Sequence, residues 1–139
     1  MSVDAQIEEV PRICEWVTNL ALKAGMPQQE AYRVELAVDE VCTNIIEHGT
    51  GQLDRLAGCT SNTIEVRCQS NGVQFLTVII DDCLPFNPLE LSDPDPVKPL
   101  DQRPENGGGW GVYFVKALMD QVQYEYRTPR NYLYMLKRI

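Results

Sequence analysis

Phe75-Leu76-Thr77-Val78-Ile79-Ile80, followed at once by Asp81-Asp82, is the stretch from which the rest of the chain can be read. It is apolar on both alternating faces. A strand of that kind is covered on both sides and belongs in the middle of a sheet. Immediately before it, Asn71-Gly72 is a two-residue hairpin signal. Before that, Ile64, Val66 and Cys68 alternate with Thr63, Glu65 and Arg67, which predicts an antiparallel neighbour. After the strand comes a long irregular stretch, about Leu84 to Gly109, carrying Pro85, Pro88, Pro94, Pro96, Pro99 and Pro104. So many missing backbone donors exclude a ladder or a helix there. A loop of this length inside a compact domain is more often functional than decorative.

Gly107-Gly108-Gly109-Trp110-Gly111 closes that loop, and a short helix follows with Val112, Val115, Leu118 and Met119 on one stripe. Val122, Tyr124 and Tyr126 then read as a strand, Thr128 to Asn131 as a turn, and Tyr132 to Lys137 as the last strand. Upstream, Ile7, Val10, Ile13, Val17, Leu20 and Ala24 recur at helical steps, with Gly25 and Pro27 as the stop. A second helix runs from Gln28 to about Glu47, with Val34, Val38, Val41 and Ile45 on its apolar face. Arg33, Glu40, Asn44 and Glu47 share another face. Gly49 and Gly51 end it, and residues 50–62 read as a loop. Hairpin connections make the sheet mostly antiparallel, and three helices are available for one face. The expected fold is a two-layer α/β sandwich, one domain over residues 1–139.

The whole-chain numbers fit one globular domain. There are 139 residues, 44% of them apolar and 23% charged, which excludes disorder and fibrous repeats. The formal net charge is -8, and an acidic chain repels phosphate backbones, so direct nucleic-acid binding is not expected. No apolar run approaches membrane-spanning length, and there is no secretory leader; a cytoplasmic protein without a membrane role is the expectation. The five cysteines, Cys14, Cys42, Cys59, Cys68 and Cys83, form no C-x-x-C pair, and His48 is the one histidine. Reduced thiols are expected rather than a zinc site.

Three places can carry chemistry. Glu40 and Asn44 lie four apart on a helix, so their side chains share a face. An amide oxygen suits Mg²⁺, and a carboxylate can take a proton from a hydroxyl or water. A lone E-x-x-x-N reads as a solvated helix face. Asp81 ends the most apolar strand, where a carboxylate can accept from an exocyclic amine such as that of adenine, or can simply terminate the strand. Asp82 points the other way and reads as a surface residue. The glycines at 107, 108, 109 and 111 can turn N–H groups toward phosphate at a helix start, or can form a hinge. Arg103 and Lys116 are the cations nearest in sequence; either is equally a surface charge.

The order of these features is more specific than any one of them. A helical E-x-x-x-N, a strand ending in Asp, a long loop and a G-x-G opening a helix resemble the nucleotide-binding boxes of the GHKL family, named for gyrase, Hsp90, histidine kinases and MutL. Leu36 to Gly49 resembles the N box of its small anti-sigma factor serine kinases. Asp81-Asp82-Cys83-Leu84-Pro85-Phe86-Asn87-Pro88 resembles their D-x-G-x-P-F-[DN]-P box, and Gly108-Gly109-Trp110-Gly111-Val112 their G-G-L-G-I box. Asn131 to Lys137 fits as the closing segment, and the resemblance covers essentially the whole chain.

The resemblance implies a Bergerat-type ATP sandwich. Asn44 would ligate Mg²⁺, Glu40 would be the general base toward a serine hydroxyl, and Asp81 would bind the adenine amine. Gly109 and Gly111, with Gly107, Gly108 and neighbouring N–H groups, would hold phosphates of ATP, with Arg103 as a candidate contact. The implied partners are a STAS-type anti-anti-sigma protein as phosphoacceptor, a sigma factor, and a second copy in a homodimer. Cys83 stands where the family has glycine, Trp110 where it has leucine, and the leading strand is cut to Ser2–Val3 or absent. His48 takes the place of a helix-end structural histidine. Two other readings stay open: a nucleotide-binding switch module that grips partners without phosphoryl transfer, and an ATP-hydrolysing relative. The outward residues of the central strand, Leu76, Val78 and Ile80, are expected to be covered by another chain or an added element.

Overall fold

The computed structural model describes residues 1–50, 61–90 and 110–139, with backbone alone at 48–50 and 110. The strands are β1 (Ser2–Asp4), β2 (Thr63–Ser70), β3 (Gln74–Asp81), β4 (Gln121–Arg127) and β5 (Arg130–Arg138). They form one sheet in the order β1-β2-β3-β5-β4, and every neighbouring pair is antiparallel. The stretch from Phe75 to Ile80 is therefore the middle strand. The helices are α1 (Val10–Lys23), α2 (Gln28–Asn44) and α3 (Trp110–Leu118). Single turns of 3-10 helix lie at Ile7–Glu9 and Pro88–Glu90.

Periodicity decides which side of each element is buried. Val10, Ile13, Cys14, Val17 and Ala21 are the buried residues of α1, and Ala31, Val34, Ala37, Val38, Val41 and Cys42 those of α2. They join one core with Ile64 and Val66 of β2, Phe75 and Ile79 of β3, Leu133 and Met135 of β5, and Val115 of α3. Pro11 is tolerated because the first helical turn has no intrahelical acceptor for its position. Alternation along β3 puts Phe75, Thr77, Ile79 and Asp81 on the helix side. Lys137 is a buried charge on that side of β5. Its Nζ lies 2.9 Å from Glu30 Oε2 at the start of α2 and 3.7 Å from Asp120 Oδ1.

Four expectations change in detail. The β2–β3 hairpin closes one residue later than Asn71-Gly72 suggested: Asn71 N donates to Gln74 O, so Gly72-Val73 is the tip. Gly72 takes φ 87°, which the first tip position of a II′ connection requires, while Asn71 Oδ1 accepts from the N–H groups of Val73 and Gln74. The second helix ends as an α-helix at Asn44 and continues as a π-helical turn through Ile45–Thr50. The leading strand is present, short, and paired with β2. Cys83 is disulfide-bonded, whereas Cys14, Cys42 and Cys68 are free as expected. Burial pushes the Cys14 thiol up to about 12 and that of Cys68 to about 11, which keeps both protonated and inert.

The outward sheet face is less bare than its sequence implied. Ile80 is only 2% exposed, and Leu76 and Val78 are half-buried, within this one chain. Ile80 sits between Glu65 and Tyr132 in register. Glu65 is held by Arg67 at 2.6 Å and Arg130 at 3.4 Å. Tyr132 stacks on Tyr134 and carries the Arg127 guanidinium 5.2 Å from its ring centre. Long side chains of the sheet itself thus supply much of the cover.

Candidate functional site

The last turn of α2 and the first turn of α3 meet at three residues. Glu40 and Asn44 project from one face of α2. Gly111, the second residue of α3, lies so close that an added Cβ would stand 2.7 Å from Glu40 Oε2, 3.0 Å from Asn44 Nδ2 and 3.7 Å from Asn44 Oδ1. Only glycine leaves those two side chains where they are. The glycine box and the helical E-x-x-x-N, 67 residues apart in sequence (Asn44 to Gly111), are therefore neighbours in space. Glu40 remains exposed, yet partial burial, with Asp39 and Glu47 as like charges, raises its carboxyl above the ordinary value of 4.5. A carboxylate so placed is a better proton acceptor than a free glutamate.

Asp81 is held differently. It is half-buried at the end of β3, opposite Asn131 of β5. Its Oδ1 accepts from Asn131 Nδ2 at 2.9 Å and from Cys83 N at 3.0 Å. Burial raises its carboxyl above the usual 3.8; the two hydrogen bonds pull the other way, and the Asp82 charge adds to the rise. Asp82 is not the plain surface residue expected. Its Oδ2 accepts from Ser61 N at 2.6 Å and also from Ser61 Oγ, which fixes the chain as it enters β2. Its Oδ1 is buried with no hydrogen-bond partner among the described residues.

Asn131 and its neighbour Tyr124 are the residues that the sequence reading missed as part of a site. Tyr124 OH donates to Asn131 Oδ1, and both oxygens lie 3.2 Å from Phe86 N. A signal was available: Asn131 occupies the inward register of β5, shared with Leu133 and Met135, where an amide needs partners. Arg103 and Gly107, Gly108 and Gly109 lie outside the described residues, as does the loop beyond Glu90. Lys116 is half-buried on α3. The described residues also line surface clefts along α1 and α2, one including Glu15, Glu35 and Asp39, another Leu22 and Tyr32; Glu40, Asn44, Asp81 and Gly111 line neither.

Residues 3–137 match the family described as histidine kinase-like ATPase domain. The chain belongs to that family. Its curated relatives include the serine-protein kinases RsbW of Bacillus thuringiensis (strain Al Hakam) and of Bacillus anthracis, each 30% identical over 129 residues. The alignment spans 88% of this chain and 74% of each relative. Among solved structures, the RsbU and RsbW domains of Rv1364c from Mycobacterium tuberculosis superpose with a TM-score of 0.59 at 15% identity, covering 99% of this chain and 32% of that one. The histidine kinase domain of the Erythrobacter litoralis EL346 blue-light activated kinase gives 0.54 at 19% identity, covering 94% of this chain and 59% of that one. These two likenesses bear on the fold, which is that of the histidine kinase-like ATPases.

Family membership gives ATP as the class of ligand, and the geometry can be tested against it. At Gly111 a single added methyl group would overlap Glu40 Oε2 and press on Asn44 Nδ2, so the carboxylate and the amide stand directly against the start of α3. An amide oxygen completed by phosphate oxygens and water is an all-oxygen donor set that suits a hard cation such as Mg²⁺; among the described residues no cluster of three His, Cys, Asp or Glu forms an all-protein cage. The residues present fit a nucleotide-borne Mg²⁺ on Asn44.

Proposed function

We propose that this histidine kinase-like ATPase domain is a protein serine/threonine kinase of the anti-sigma type, acting in a partner-switching system that regulates transcription. The observation that carries the reading is the Gly111 notch, which brings a candidate base and a candidate metal ligand against the start of the phosphate-binding helix. Its relatives named serine-protein kinase support the reaction class. Asp81 takes the exocyclic amine of adenine, and the amides of Gly107 to Gly111, with Arg103, take the phosphates. Asn44 holds Mg²⁺, which when bound offsets phosphate charge that an acidic protein would otherwise repel.

Glu40 accepts the proton of a partner's serine hydroxyl. The serine oxygen then bonds to the γ-phosphorus as the bond from that phosphorus to the β-phosphate oxygen breaks, leaving ADP and a phosphoserine. The phosphoacceptor is a STAS-type anti-anti-sigma protein, and the alternate partner is a sigma factor. The working unit is a homodimer in the cytoplasm. No helix among the described residues is long and apolar enough to cross a membrane.

The test is incubation with ATP, Mg²⁺ and a STAS-domain protein, read by intact mass. A phosphate-sized gain on the partner supports the kinase. ATP-dependent partner binding without a mass gain identifies a binding module, and phosphate release without transfer identifies an ATPase.

A further inference from the structure

The side chain of Asn131 is 5% exposed and fully committed. Its Nδ2 faces three acceptors: Asp81 Oδ1 at 2.9 Å, Cys83 O at 3.1 Å and Leu84 O at 3.2 Å. Its Oδ1 faces two donors, Phe86 N at 3.2 Å and Tyr124 OH. Donors and acceptors are segregated on the two sides of the amide, so rotating it by 180° would set four of these five contacts donor to donor or acceptor to acceptor, and the Tyr124 hydroxyl alone could adapt. The orientation is locked, and with it the path of the chain from Asp81 to Phe86.

Asp81 feels the consequence directly. Both hydrogen bonds it accepts, from Asn131 Nδ2 and Cys83 N, arrive at Oδ1. Oδ2 has no hydrogen-bond partner among the described residues. A carboxylate free to rotate would offer either oxygen in many directions; this one offers Oδ2 in one direction. Resting on the reading of Asp81 as the purine contact, we infer that Asn131 is a positioning residue that sets base selectivity. It turns Asp81 so that one oxygen meets a purine carrying an amine at C6. A purine with a carbonyl at C6 would meet that oxygen with a lone pair and be refused. Tyr124 shares the task by holding Asn131 from the other side.

A merely structural asparagine would weaken all nucleotides alike, so the readout is a ratio. The affinities of the intact chain for ATP and for inosine triphosphate are measured by calorimetry with Mg²⁺ present, for wild type, Asn131→Ala, Asn131→Ser, Tyr124→Phe and Asp81→Asn. Thermal unfolding of each variant is followed in parallel. Wild type is expected to favour ATP, and Asn131→Ala to cut that preference about tenfold. Tyr124→Phe should cut it by a smaller factor. If Asn131→Ala does not fold, Asn131→Ser, which keeps a hydroxyl near Asp81, carries the same expectation.

The two readings fail separately. An Asp81→Asn protein that keeps the wild-type ratio overturns the assignment of Asp81 to the purine, and the inference with it. A collapsed ratio in Asp81→Asn beside an unchanged ratio in the folded Asn131 variants overturns the role of Asn131 alone. Equal losses for ATP and inosine triphosphate in the Asn131 variants mean a structural role and overturn it as well.

Discussion

Glu40 can act as a base only when ionised, and partial burial beside Asp39 and Glu47 raises its carboxyl above 4.5. The rate of phosphoryl transfer should therefore fall as pH drops, with the acid limb above the ordinary glutamate value. Glu40→Ala should bind ATP normally and lose that limb along with at least a hundredfold of rate, about the usual contribution of a positioned base. Wild-type phosphorylation of the partner by Glu40→Ala would remove the role. Gly111→Ala tests the same corner from the other side. The added Cβ would meet only the ends of two side chains, at 2.7 and 3.0 Å, so the fold should accept it. Alanine favours the helix by about 0.5–1 kcal/mol, so thermal stability should hold or rise. Displacement of Glu40 and Asn44 should nonetheless cost about a hundredfold in rate. At Asp81 the folded carboxyl is raised above its unfolded value of 3.8. Such a group favours the fold when protonated, and that contribution is lost as pH rises through the raised value. Asp81→Asn keeps an acceptor for Asn131 and Cys83 without the charge. Its apo form should melt above wild type at neutral pH, with the gap closing in acid, while its ATP-induced stabilisation shrinks; a neutral-pH melt below wild type would contradict this.

At the scale of elements, much was legible because hydrophobic period reports on burial directly. The central strand, both long helices and the short helix after the glycines could all be read that way. What was not legible depended on partners remote in sequence. Asn131 looked like a turn residue because its five partners come from 81–86 and from Tyr124. Asp82 looked like a surface acid because Ser61, 21 residues away, is its donor. The hairpin slipped by one because glycine can occupy either tip position, and only the side chain of Asn71 decides which. Lys137 is the clearest case: a lysine on the inward register of a strand has meaning only once Glu30 and Asp120 are beside it. It ties the beginning of α2 to the sheet, as Gly111 fits the end of α2 to α3. Lys137→Met should fill the space but leave Glu30 without its 2.9 Å partner. Because both carboxylates reach water, the expected loss is about 1–2 kcal/mol, less than for a fully enclosed pair. Urea unfolding with an unchanged slope and a lower midpoint would show it.

Across the whole molecule, the candidate site draws on both layers, and the outer face of the sheet is largely self-sealed. The arginine–tyrosine mesh over Ile80 means that a second copy is not needed to hide that strand, so the proposed homodimer must be argued from Leu76 and Val78 and measured in solution. The sheet's two margins differ. On one side β4 ends the sheet with Glu125 and Arg127, charges that discourage a neighbouring strand. On the other, β1 is three residues long, yet Met1 O accepts from Val66 N and Ala5 N donates to Asn62 O, so this slip of chain covers the first half of the border of β2. Clipping residues 1–5 would unzip that border and leave an eight-residue strand with open amides and carbonyls. The clipped protein should grow into larger species by strand-on-strand addition, visible as rising light scattering with concentration. The first few residues would then be what keeps the protein from polymerising with itself.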